Sequence, residues 1–232
     1  MAKIEAGCKL ADFSFNTPFE SDVKLSEKAK GAKKTILLFL RYYGCTLCQL
    51  DIREYANAYD RIKAKDAQLL VVLQSPASTI NAQMKKEDLP FDIICDPDMG
   101  LYKEFELGVA ASKEEMIRPE DMPKMGEKRA KMEEYGLSHG AYEGEEMQFP
   151  GYFLLDSELN VLEAHRATSI LDMPSVDEMI AKPNFLRKRH SRDRLCLFYI
   201  PAAYRTKPQP GILCSLLLIV SIYHLHRWQR FF

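Results

Sequence analysis

The order of apolar runs predicts an α/β fold, a sheet flanked by helices, on three observations. Short β-branched and aromatic segments, Thr35 to Leu40, Gln68 to Gln74 and Phe91 to Cys95, alternate with stretches whose apolar residues recur at helical spacing. That alternation implies a mainly parallel arrangement. Two further strand-like runs on either side of Ser157-Glu158-Leu159-Asn160 add a hairpin, which makes the central sheet mixed. With 232 residues and 47 % hydrophobic content, the chain can bury the core of one ordinary domain and carry an extension.

Each element has its own signal. Cys8 to Thr17 alternates, with Phe13 and Phe15 on one face, and meets Pro18 and a polar stretch, which suits an N-terminal hairpin. Gln49 to Ala64 places Leu50, Ile52, Tyr55, Ala58, Tyr59 and Ile62 near helical spacing, and so reads as one helix. The run Gln68 to Gln74 is a buried strand ended by Ser75-Pro76. Ser78 or Thr79 caps a helix expected to reach about Asp88, and the strand Phe91 to Cys95 is closed by Asp96-Pro97-Asp98. Met99 to Leu107 is a short helix with Leu101, Tyr102 and Phe105 inward. From about 109 to 148 the composition turns to charge, methionine and glycine, without a strand signal. Glu114 to Pro119 and Lys128 to Tyr135 read there as short amphipathic helices of an insertion with a solvated face. Phe149 to Asp156 and Val161 to Arg166 form the hairpin, and Met173 to Ile180 begins a closing helix, with Pro174 near its first turn and Asp177 and Glu178 at the end where negative charge is favourable. The domain therefore spans 1–184, with a tail at 185–232 expected to lie outside it.

The chemistry is carried by Cys45-Thr46-Leu47-Cys48, two thiols three residues apart between a strand and a helix. A thiol at a helix start feels the partial positive charge of free N–H groups, which favours the thiolate, and the thiolate is the nucleophile. One helical turn separates it from a second sulfur that can close a disulfide. Such a pair can also be half of a zinc site, a structural disulfide or two inert core thiols, but no second closely spaced CxxC or CxxH completes four zinc ligands. No metal or cofactor site is expected, and redox use of the dithiol is the reading that fits a turn between strand and helix.

Charge and cysteine usage narrow the class. Lys+Arg 32 against Asp+Glu 33 gives a formal net charge of −1, so no basic field argues for nucleic acid. Met1 to Gly7 lacks the apolar core of a signal peptide, which sets the expectation of a reducing, cytoplasmic setting. Six cysteines, at 8, 45, 48, 95, 196 and 214, are too scattered for a disulfide scaffold. Cys95 reads as a buried small hydrophobe, Cys8 as an inert thiol or an alternative resolving one, and His165 as structural. Gln74 and Ser75 end a strand near the expected site. In the tail, a basic run from Arg187 to Arg194 precedes Gly211 to Tyr223, an apolar stretch shorter than the roughly 20 residues a spanning helix needs. The tail is expected to be an appendage, with membrane association the lesser reading.

Five pieces in fixed order carry a family resemblance: Gly7 to Thr17, the strand leading into Gly44-Cys45-Thr46-Leu47-Cys48, Leu69 to Ser75, Cys95 to Phe105 and Phe149 to Leu162. Together they resemble the peroxiredoxin-like branch of the thioredoxin-fold superfamily, the alkyl hydroperoxide reductase and thiol-specific antioxidant group, over roughly residues 4 to 183. The resemblance implies a thioredoxin-like fold and antioxidant, thiol-dependent peroxide reduction, with a thioredoxin-type reductant as partner. It makes Cys45 the attacking cysteine and Cys48 the resolving one, with Thr46 between them among the supporting residues. It further implies that Pro150 is a cis-proline facing the dithiol, and that an arginine, Arg41 or Arg166, supports the thiolate. The chain departs from the family's pattern by placing Tyr42 where a threonine stands three residues before the attacking cysteine, and by lacking the proline upstream. Slower peroxide reduction is the expected consequence. Two other functions remain open: protein disulfide reduction by the same CxxC, and a redox-sensing or interaction module working through the insertion.

Overall fold

The computed structural model describes residues 3–182 and the backbone of 194–195. In chain order, β1 (Cys8–Lys9), β2 (Ser14–Phe15) and β3 (Val23–Lys24) lead into α1 (Leu25–Ala29), followed by β4 (Lys34–Phe39), α2 (Thr46–Asn57), α3 (Tyr59–Lys63) and β5 (Ala67–Leu73). Next come α4 (Ala77–Asn81), β6 (Asp92–Cys95), α5 (Gly100–Glu104), α6 (Lys113–Met116) and α7 (Met122–Glu134). The chain then returns through β7 (Gly151–Asp156) and β8 (Val161–Arg166) to α8 (Val176–Ala181), and β9 (Arg194–Leu195) lies beyond.

The central sheet has five strands in the order β6-β5-β4-β7-β8. β4 runs parallel to β5, which runs parallel to β6, whereas β7 lies antiparallel to both β4 and β8. This is the mixed sheet the sequence predicts. Lys34 to Phe39 is central and covered on both faces, which is why it reads as a continuous apolar run. Because side chains alternate across a strand, Ile36 and Leu38 join Leu69, Val71, Tyr152 and Leu154 in one core, while Leu37 and Phe39 join Leu70, Val72, Phe153 and Leu155 in another. The second core is aromatic. Phe39, Phe105 and Phe153 meet at ring-centroid distances of 4.7 to 5.7 Å in tilted and edge-on arrangements, the geometries the ring quadrupole favours. The first core contains Tyr42, Cys45 and Cys48.

Several elements differ from expectation in extent. The N-terminal hairpin forms between β2 and β3, with Ser14 opposite Lys24 and Phe15 opposite Val23. The helix expected over Gln49 to Ala64 breaks at Ala58, whose backbone leaves the helical region at φ −96° and ψ 2°. The new turn that follows buries Ile62. The helix expected from a Ser78 or Thr79 cap starts earlier, at Ala77 directly after Pro76 and without a side-chain cap, and stops at Asn81, while a separate 3-10 turn occupies Lys86–Asp88. Pro174 lies outside α8, which is capped by Ser175: its hydroxyl accepts from the Glu178 amide while the Glu178 carboxylate accepts from the Ser175 amide.

The insertion leaves and rejoins the sheet at one point. Phe149 N–H donates to Gly108 O at 2.9 Å, Gln148 Nε2 to the same oxygen at 2.7 Å, and Ala110 N–H to Met147 O at 2.8 Å. Within it α7 docks on α2 through Lys128 to Asp51 and Lys131 to Glu54, each at 2.5 Å. Gly136, at φ +62°, ends α7 in the left-handed conformation that glycine adopts without cost. The sequence sets the tail beyond 184 apart from the domain. Of it, the described β9 pairs in parallel with β1, Arg194 opposite Cys8 and Leu195 opposite Lys9, and the remainder lies outside the described residues.

Candidate active site

The turn after β4 is shaped by backbone hydrogen bonds. Leu40 N–H donates to Val72 O at 3.1 Å, Gln74 N–H to Arg41 O at 2.8 Å, and Cys45 N–H to Tyr42 O at 3.1 Å. This sets Cys45 at the N-cap of α2 with extended φ and ψ, and its sulfur accepts from the Cys48 amide at 3.3 Å, as a capping serine oxygen does. One turn on, Cys48 Sγ donates to Cys45 Sγ at 2.8 Å. Both cysteines are free thiols and both are buried.

Arg41 completes the polar surroundings. Its Nη2 donates to Cys45 Sγ at 3.0 Å and its Nη1 to Glu146 O at 2.6 Å, whereas its buried Nε has no acceptor among the described residues. The dithiol is electrostatically uneven in consequence. The Cys48 S–H hydrogen bond, with the Arg41 charge and the Cys48 amide, brings the Cys45 thiol down to about 6 against the opposing effect of burial. Burial, then its bond to Cys45 and the charge that sulfur carries, pushes Cys48 well up. At neutral pH the pair is a Cys45 thiolate held by a Cys48 thiol, one proton between two sulfurs.

A strap from Ser138 to Glu146 lies across this turn. Gly140 N–H donates to Gly44 O at 2.8 Å, Gln49 Nε2 to Ser138 O at 3.1 Å, and Glu145 N–H to Gln74 Oε1 at 2.5 Å. Ser75 Oγ accepts from the Tyr43 amide at 2.8 Å and donates to the Glu143 carboxylate. The approach is close enough that a Cβ at position 44 would lie 2.2 Å from Ala141 O, so only glycine fits there. Tyr42 packs its ring against His139 and Tyr142, and its hydroxyl, pushed up to about 12 chiefly by burial, meets His139 Nε2 at 3.2 Å. His139 Nδ1 faces Gly140 O at 2.8 Å, which assigns the ring proton to Nδ1 and makes the Tyr42 O–H the donor to Nε2. Cys45 is 0 % exposed, whereas a reactive turn between strand and helix is expected from the sequence to be open.

Of the residues singled out from sequence, Cys45, Cys48 and Arg41 come together, and Thr46 stands beside them as the half-buried first residue of α2. Arg166 does not join them. Its Nε donates to Phe105 O at 2.7 Å and its Nη2 to Ile4 O at 2.9 Å, with the guanidinium over the Phe153 ring, in the core on the other side of the sheet. Pro150 is not a cis-proline, because no peptide among the described residues is cis. Phe149 bonds back to Gly108, and Pro150 O accepts from Ala167 N at 3.0 Å, so the chain enters β7 extended through the trans form that X–Pro bonds prefer. Cys95 is pushed up to about 12 by burial, as fits an inert core thiol; Cys8, by contrast, is neither the inert nor the resolving thiol the sequence suggests, because its sulfur is already taken up in a disulfide. His165 stacks on Tyr152, and its Nε2 lies 2.7 Å from Asp172 O. Gln74 and Ser75 do line the site, through the strap. The strap residues His139, Tyr142, Glu143 and Glu146 escape the sequence reading, since an irregular charged segment carries no periodicity to mark its docking. Among the described residues no group of His, Cys, Asp or Glu is arranged to hold a metal ion.

A mixed sheet with a helix-capping cysteine at the end of its central strand defines the thioredoxin-like class. A family model described as AhpC/TSA matches residues 6–164, and the chain belongs to that family; it is an oxidoreductase. Solved structures agree in fold at low identity. A reduced 2-Cys peroxiredoxin from Plasmodium vivax is 14 % identical with a TM-score of 0.52, covering 76 % of this chain and 78 % of its own. A thiol peroxidase from Chromobacterium violaceum is also 14 % identical, with a TM-score of 0.51 over 77 % and 85 % of the two chains. PrxQ from Xylella fastidiosa gives 12 % identity and a TM-score of 0.50 over 78 % and 94 %. A search of curated proteins finds no match.

Proposed function

We propose that the protein reduces hydroperoxides through the Cys45–Cys48 dithiol, a reading supported by its family and carried by one observation: two side-chain donors, Arg41 Nη2 and Cys48 Sγ, converge with the Cys48 amide on the Cys45 sulfur. The Cys45 thiolate attacks the terminal oxygen of R–O–OH, the O–O bond breaks, and the alkoxide leaves to take a proton from solvent. The sulfur keeps the hydroxyl as a sulfenic acid. Arg41, already at the sulfur, is placed to stabilise negative charge moving onto the leaving oxygen. The Cys48 sulfur then attacks Cys45, water leaves with the Cys48 proton, and the resulting disulfide is reopened by an external dithiol of thioredoxin type. Tyr42 holds the place of the family's threonine, but its hydroxyl is committed to His139, so turnover should be modest.

Stopped-flow oxidation of the reduced protein by hydrogen peroxide and by an organic hydroperoxide tests this. Peroxide loss should follow second-order kinetics and vanish in Cys45→Ser. Full consumption by that variant contradicts the proposal. The CxxC spacing favours a second reading, protein disulfide reduction, and brisk disulfide exchange with no response to either peroxide would put it first.

A further inference from the structure

We infer that the strap Ser138 to Glu146 is the substrate filter of the reduced protein, admitting small neutral hydroperoxides to Cys45 and turning away folded-protein disulfides. This rests on the proposed reading only in taking Cys45 as the reacting thiol. Cys45 is 0 % exposed, and the strap is bonded to both of its near neighbours in the turn, to Gly44 through Gly140 N–H and to Arg41 through Glu146 O, so the inferred way in for an oxidant is beneath the strap. The anchors are spread along the whole strap. Ser138 is held by Gln49 and Gly140 by Gly44; further along, Glu143 is held by Ser75, Glu145 by Gln74 and Glu146 by Arg41. A molecule of a few atoms needs the strap to lift locally, breaking one or two of these. A protein disulfide must bring its own backbone to the sulfur, which needs all of them broken at once, and local openings become rare as the number of lost bonds grows.

Charge adds a second selection. Glu143, Glu145 and Glu146 lie within the strap, and repel anionic oxidants at the entrance while leaving neutral peroxides unaffected. The filter belongs to the dithiol state, because the Arg41 clamp on Glu146 is itself held by the Cys45 sulfur at 3.0 Å. Disulfide formation removes the thiolate charge from that contact and loosens the clamp, at the step where a protein reductant must enter.

The test uses reagents of one reactivity and two sizes on the reduced full chain: N-ethylmaleimide and the same maleimide on a long polymer, with modification at Cys45 read by peptide mapping. The small-to-large rate ratio in the native protein should exceed that of the urea-unfolded chain by about tenfold or more. In the Gln49→Ala/Gln74→Ala double variant, which removes strap anchors without touching a group at the sulfur, the ratio should fall about tenfold toward the unfolded value. A native ratio equal to the unfolded one overturns the filter without recourse to any variant, as does an unchanged ratio in a folded double variant. No peroxide enters the assay, so its failure and the failure of peroxide reduction are read separately.

Discussion

At the scale of single residues, the account turns on why one buried sulfur is charged and its neighbour is not. Taking a thiolate out of water is unfavourable unless donors replace the water, and Cys45 has three: the Cys48 thiol, the Cys48 amide and the Arg41 guanidinium. Because only the thiolate reacts, the alkylation rate of Cys45 should rise with pH, reach half its maximum at about 6 and level off above, with Cys48 unlabelled until far higher pH. Cys48→Ala removes a donor and should move that midpoint upward, whereas Cys48→Ser keeps a hydroxyl at the same place and should move it less. Arg41→Gln should also move it upward, which lowers the rate below neutral pH by about five- to tenfold as the thiolate fraction falls. Mass spectrometry of the iodoacetamide-treated Cys45 peptide across pH reads all three variants. A midpoint unchanged in both Cys48→Ala and Arg41→Gln would show that neither group holds the thiolate.

Among the elements, the strap and the closing helix make separable claims. Gly44→Ala sets a methyl against the Ala141 carbonyl, so the strap must shift; amide exchange over 138–146 should quicken while the strands of the central sheet keep their protection. Ser175→Ala removes a capping box and should cost about 1 kcal/mol in chemical denaturation without altering Cys45 reactivity. The elements are legible from sequence wherever one physical rule acts alone. Thr35 to Leu40 reads as a strand because both of its faces are covered; the helix expected over Met99 to Leu107 is present only as Gly100–Glu104, because Met99 is left-handed at φ 55° and the helix is capped at Phe105, although Leu101, Tyr102 and Phe105 all turn inward as expected. Gln49 to Ala64 misleads because its periodicity continues across Ala58, where the backbone breaks to bury Ile62. At the site, Cys45, Cys48 and Arg41 are readable from the motif and its neighbour. Arg166 and Pro150 are not, since adjacency on a hairpin strand does not say which face of the sheet a side chain takes, nor does a proline before a strand say which isomer it adopts. The strap is illegible because four of its anchors are backbone amides and carbonyls, which every residue carries alike, and because His139, Tyr142 and Glu143 dock from an irregular segment with no periodicity to mark them.

For the molecule as a whole, the described part of both cores enclosing the sheet is built from residues 4–180, and the described links beyond it are the short β1 pairing with Arg194–Leu195 and the disulfide of Cys8, whose partner lies outside the described residues. A chain ending at residue 185 should therefore keep one cooperative thermal transition and its Cys45 reactivity, read by calorimetry and by the alkylation rate; loss of cooperativity would make the tail part of the core. On the proposed reading, what joins the parts into one device is the passage of two electrons from a dithiol to a peroxide within a single turn of chain. The most direct measurement treats the reduced protein with one equivalent of hydroperoxide and maps its cysteines by mass spectrometry, in wild type and in Cys48→Ser. The predicted result is a Cys45–Cys48 disulfide in the wild type and, in the variant, a sulfenic acid on Cys45 that a dimedone probe captures. Oxidation appearing at other cysteines while Cys45 and Cys48 stay reduced would contradict the account.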